Sequence, residues 1–144
     1  MTLVDANLLL SAYDPRADQH EASRRWLEDV LSGQELVGFA WLTLWAFLRV
    51  VTNPRVYERP LSIEEAQGHV ESWLARPTAR VLEPGDRHWE ILRGLTSAGQ
   101  STGPLVMDAA LAAIAIEHGA TLATTDRDFS RFDGLAWHNP IQPA

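Results

Sequence analysis

The sequence predicts an α/β fold with three layers, helices covering both faces of a mainly parallel sheet of about five strands. Short apolar runs of strand length recur along the chain, and stretches with apolar residues at helical spacing alternate with them. Helical segments, often in pairs, lie between successive runs, so the strands they join are parallel neighbours linked by crossovers. Pro and Gly are spread through the chain rather than gathered into a linker, so the layers belong to one domain.

Thr2-Leu3-Val4 reads as the first strand, ending at Asp5. Leu8-Leu9-Leu10 opens a short helix that closes near Asp14-Pro15. Ala22, Trp26, Leu27, Val30 and Leu31 repeat at helical spacing, and Gly33 stops that helix. Leu36 to Ala40 is the second strand. Trp41 to Val51 is densely apolar but too long for a buried strand, so it reads as a buried helix ended before Asn53-Pro54. Ser62-Ile63-Glu64-Glu65 is a capping box, and the helix it opens carries Ile63, Ala66, Val70, Trp73 and Leu74 on one side. Arg80-Val81-Leu82 is the third strand. Gly85 or Asp86 caps a further helix through His88, Trp89, Ile91, Leu92 and Leu95, and Ser97 to Gly103 reads as a loop. Pro104 starts a helix running to His118, with Gly119 just past its end. Thr121 to Thr124 is the fourth strand and Leu135-Ala136-Trp137 a short fifth. Trp26, Trp73 and Trp89 fall on apolar helix faces and are expected in the core. Trp41 and Trp45 lie on the most apolar segment and are candidates for an interface.

At 144 residues the chain is expected to form a single domain over 1–144 that buries a core without staples. It has no cysteine, which removes disulfides, thiol nucleophiles and zinc knuckles. All 12 basic residues are arginine, so a P-loop lysine or a Schiff base is excluded. The net charge of −7 argues against a general nucleic-acid coating protein, but not against an enzyme that gathers carboxylates around a metal. The N-terminus lacks the basic region of a signal peptide, and no apolar run reaches about 18 residues, so a cytoplasmic protein without a membrane span is expected. The five histidines include no i,i+4 pair, which speaks against a zinc site, and His118 is placed to complement a helix C-terminus.

In open parallel sheets the reactive crevice lies at the carboxyl ends of the strands. Asp5 directly follows the first strand, and Asp126 and Asp128 follow the fourth. Asp108 lies in the first turn of the Pro104 helix, close to its apolar side, with no lysine or local arginine on that face. Singly, Asp5 and Asp126 also read as caps. Converging carboxylates repel one another and raise one another's pKa unless a cation sits among them. Oxygen-only ligands suit Mg²⁺ or Mn²⁺, and such ions activate water and neutralise charge building on a phosphodiester. The chemistry indicated is metal-assisted hydrolysis of a nucleic-acid backbone.

Several segments occur together in order: Leu3-Val4-Asp5-Ala6-Asn7, Phe47-Leu48-Arg49 with Thr52-Asn53-Pro54-Arg55-Val56, and Met107-Asp108-Ala109-Ala110-Leu111-Ala112-Ala113. Thr124-Thr125-Asp126-Arg127-Asp128-Phe129 and Gly134-Leu135 with Asn139-Pro140 follow. Over the whole chain this order and spacing resembles a PIN-domain ribonuclease of the VapC toxin type. The resemblance implies a three-layer α/β/α PIN domain and a Mg²⁺- or Mn²⁺-dependent endoribonuclease. It also implies a homodimer and neutralisation by a cognate VapB-type antitoxin. It makes Asp5, Asp108 and Asp126 metal ligands, Asp128 a further catalytic acid, and Asn7 and Thr125 supporting residues. Arg49, Arg55 and Arg127 are candidate RNA contacts, since guanidinium matches phosphate, and unstacked single-stranded loops are the expected targets.

One position departs from the pattern. Many family members carry a glutamate three residues before the arginine of the Phe-Leu-Arg segment, and here that position is Ala46. Either this branch does without that acid, or Glu21 or Asp14 substitutes, or the alanine is an introduced change. The alternative function is a catalytically impaired PIN-fold module that binds without cleaving. A receiver domain or aspartate phosphohydrolase also places Asp after a strand, but normally uses a lysine, which this chain lacks.

Overall fold

The computed structural model describes residues 1–141, and the last three residues of the expected 1–144 domain lie outside the described residues. Along the chain run β1 (Thr2–Val4), α1 (Ala6–Tyr13), α2 (His20–Ser32), β2 (Val37–Phe39), α3 (Trp41–Val51) and α4 (Ile63–Leu74). Then come β3 (Ala79–Val81), α5 (His88–Ala98), α6 (Leu105–His118), β4 (Thr121–Ala123), a 3-10 turn (Arg127–Arg131) and β5 (Trp137–His138). The five strands form one sheet in the order β3-β2-β1-β4-β5, and every pairing is parallel.

The strand residues alternate between two cores, as the period of two demands. Val4, Val37, Phe39 and Ala123 pack under α1 to α4, against Leu8, Leu9, Leu44, Phe47 and Trp73. Leu3 and Leu122 point the other way, against Leu95 of α5, Ala109 to Ala115 of α6, and Phe129. From β1 the chain moves through β2 to the β3 edge under the first helix layer. It then returns under α5 and α6 to place β4 on the other side of β1. The reversal puts a topological switch point between β1 and β4, where a crevice opens at their carboxyl ends.

Where local chemistry decides, the elements fall where expected. Ser62 and Glu65 make both bonds of the capping box, and α3 spans Trp41 to Val51. Gly119 ends α6 in the left-handed conformation, φ 67°. Where distant residues decide, they shift. α5 starts at His88, and neither Gly85 nor Asp86 caps it. Its entry is held instead from α6, where the Glu117 carboxylate accepts the Gly85 N–H at 2.8 Å and the Arg87 N–H at 3.0 Å. The Gly85 bond leads in holding the Glu117 pKa below its ordinary value. α5 also runs on to Ala98, into the expected loop. At the same junction His118 Nε2 lies 2.7 Å from the Glu83 carbonyl oxygen, a partner beyond its own helix end.

Trp89, expected in the core, is 69% exposed, because α5 packs through Ile91, Leu92 and Leu95. The fifth strand begins at Trp137 rather than Leu135. Gly134 takes φ 86° and the Leu135 N–H still donates to the Phe132 carbonyl, so the chain is turning there.

Candidate active site

β1 and β4 pair with Val4 level with Ala123, so the residues that follow them leave the sheet side by side. The Asp5 N–H extends the ladder by donating to the Ala123 carbonyl at 3.0 Å. Asp5 is then the N-cap of α1: its backbone is extended and its Oδ1 accepts the Ala6 N–H at 2.7 Å. Its other oxygen, Oδ2, accepts the Thr124 hydroxyl at 2.7 Å. Thr124 is fully buried, and its Oγ1 also accepts the Asp126 N–H at 3.0 Å and the Asn7 Nδ2 at 3.2 Å. One hydroxyl therefore ties Asp5, Asn7 and Asp126 together. Asp126 in turn caps the 3-10 turn, its Oδ1 accepting the Asp128 N–H at 2.9 Å. Asp108, half-buried, arrives from the first turn of α6.

The carboxylates feel one another. Burial pushes the Asp5 pKa up to about 6, and the charges of Asp108 and Asp126 add to this against the bonds from Thr124 and Ala6. Burial also raises Asp108, as do the charges of Asp126 and Asp128. Arg131 opposes that rise from the 3-10 turn, so Asp108 does have an arginine in reach, contrary to expectation.

Asp5 and Asp108 open onto a cleft of about 530 Å³ between α3 and α6. Ala46 and Arg49 line its α3 wall. The departure from the family pattern thus sits in the site itself, and neither proposed substitute reaches it. Asp14 caps the opposite end of α1, about 14 Å along the axis from Asp5, and its Oδ1 accepts the Arg16 N–H. Glu21 is paired with Arg24 and Arg25 on the exposed side of α2. Arg55 and Arg127 are exposed and are not among the residues lining the cleft.

Among the described residues, no three carboxylate or imidazole groups stand as a finished set of metal ligands. In kind, the groups present do fit a divalent cation. They are oxygen donors, mutually repelling, and Asp5 is desolvated. The buried Asn7 Oδ1 also has no hydrogen-bond partner. Sequence reasoning placed the supporting hydroxyl at Thr125, but the hydroxyl that contacts Asp5 is that of Thr124. The signal for it was its place as the first residue past the buried strand Thr121–Ala123, level with the turn after β1.

A doubly wound parallel sheet with acidic residues at its switch point is the architecture of the PIN domain. The PIN-domain family model matches residues 2–135, and the chain belongs to that family. Ribonuclease VapC37 of Mycobacterium tuberculosis is 46% identical over 141 residues, covering 97% of each chain. Ribonuclease VapC33 of the same species is 35% identical over 142 residues, covering 99% of each. Among solved structures, VapBC2 from Rickettsia felis bound to a promoter DNA fragment matches with a TM-score of 0.70 at 19% identity, over 96% of this chain and 97% of that one. At that identity the likeness shows the fold.

Proposed function

We propose that this chain, a single PIN domain over 1–144, is a metal-dependent endoribonuclease of the VapC type that hydrolyses RNA phosphodiesters. The observation that carries this reading is that Asp5, after β1, and Asp108, at the start of α6, open onto one cleft, with Asp126 held to the same Thr124 hydroxyl and its charge felt by both. Relatives named ribonucleases, matched over almost the full chain, support it. The solved VapBC assemblies support a VapB-like antitoxin as partner. The homodimer and the cytoplasmic location are part of the same proposal. Among the described residues, no helix is long and apolar enough to cross a membrane.

Asp5, Asp108 and Asp126 would hold Mg²⁺ or Mn²⁺, with Asp128 assisting. When bound there, such an ion would activate a water and offset charge developing on the phosphoryl oxygens. The protein's own contribution is placement. The Ala6 N–H and the Thr124 hydroxyl fix both oxygens of Asp5. Asn7 steadies that hydroxyl, and Arg49 offers a guanidinium to a phosphate entering the cleft.

The test is cleavage of single-stranded RNA with Mg²⁺ or Mn²⁺ by the parent, Asp5→Asn and Asp108→Asn. Each variant is expected to lose about 100-fold or more, and equal activity in all three refutes the mechanism. Ala46 in the cleft wall supports a second reading, a binding module short of one acid. Ala46→Glu separates the two: activity gained with Mn²⁺ marks a nuclease site, whereas no gain from an inactive parent marks the binding module.

A further inference from the structure

α3 carries two stripes. Thr43, Leu44, Phe47 and Val51 are buried and fasten the helix to the sheet. Leu42, Trp45, Ala46 and Arg49, at spacings i, i+3, i+4 and i+7, face the cleft beside the carboxylates. Trp45 is 62% exposed, and Met107, beside Asp108 on the α6 wall, is 54% exposed. The α3 wall therefore runs from a flat indole, past the small Ala46 side chain, to a guanidinium. No acid interrupts it, because Ala46 stands where a glutamate would put one.

We propose that Trp45, with Met107 across from it, is the platform on which one unpaired RNA base stacks, beside the nucleotide whose phosphate meets Arg49. This rests on the ribonuclease reading of the cleft. Two features select a nucleotide as the occupant. An indole face stacks on any base, and a thioether adapts to either ring size. The wall also pairs this apolar surface with the one cation a nucleotide's phosphate needs, whereas an apolar peptide would desolvate Asp5 and Asp108 without a counter-charge. A base inside a duplex has no free face, so the RNA is single-stranded at this point.

The experiment compares the parent, Trp45→Ala and Trp45→Phe. Binding of a short fluorescent single-stranded RNA is read by anisotropy with Ca²⁺ in place of Mn²⁺, and cleavage is read in steady state with Mn²⁺. Trp45→Ala is expected to raise Kd and KM about tenfold. The loss falls on KM rather than kcat, and Trp45→Phe recovers most of it. Melting temperatures matched to the parent confirm that the exposed position leaves the fold intact. If Trp45→Ala matches a parent that binds and cleaves, the platform alone is overturned. If the parent neither binds nor cleaves, the ribonuclease reading falls and the platform with it. If Trp45→Ala changes only the oligomeric state on size exclusion, the face belongs to a protein contact and the platform is likewise overturned.

Discussion

Asp5 serves two masters with one carboxyl group: Oδ1 caps α1, and Oδ2 receives the Thr124 hydroxyl. Both bonds favour the ionised form, yet burial and two acidic neighbours outweigh them and raise the pKa from 3.8 to about 6. The folded chain therefore holds this proton more tightly than the unfolded one. The stability linked to it is fully present below about pH 4 and is lost as pH rises through about 6. In chelator, the melting temperature should fall between pH 5 and pH 7. Asp5→Asn retains a capping acceptor, so it should flatten that slope and melt higher at pH 7. Thermal unfolding by circular dichroism at the two pH values measures this, and the same slope in the variant would show that Asp5 is not its origin. At this scale the positions of the acids were legible in the sequence, because Asp5 and Asp126 follow strands and Asp108 lies in the first turn of a helix. Thr124 was not, because choosing it over Thr125 needs the register of β4 against β1.

The elements best read from sequence are those whose ends are set by their own residues. The Ser62 capping box, the Gly119 stop and the long apolar run of α3 are of this kind. The start of α5 escaped because its cap, Glu117, lies 30 positions further along the chain. Gly38 escaped for a related reason. It sits in β2, and a Cβ there would stand 2.6 Å from Leu82 Cδ1 and 2.8 Å from its Cγ, a neighbour supplied by the residue just after β3. Leu82 is buried and has little room to yield. Gly38→Ala should therefore cost about 1–3 kcal/mol in chemical denaturation. Gly68→Ala in α4, where nothing lies within 4 Å, should instead stabilise by up to about 1 kcal/mol. Equal effects at the two sites would show that close packing at Gly38 is not what favours glycine.

Across the whole molecule, alternating apolar runs and helices announced a parallel layered sheet, but the strand order is a property of the assembled chain. That order decides which acids meet. It also leaves a protein with a net charge of −7 and Arg49 in the cleft wall, with Arg55 and Arg127 outside it. Single-stranded RNA binding should therefore depend weakly on salt. A slope of log K against log salt of about −1 or shallower is expected, at about −0.7 for the one phosphate Arg49 neutralises. Anisotropy titrations across a range of KCl concentrations measure it, and a slope of about −5 would reveal a basic track elsewhere on the surface.

The bond from Thr124 to Asp5 joins residues 119 positions apart. Asp5 follows β1, whereas the strand that completes its surroundings, β4, comes only after six helices. A truncation before residue 121 removes β4, Thr124 and Asp126 together, so the remaining chain is expected to leave Asp5 without the hydroxyl that fixes it.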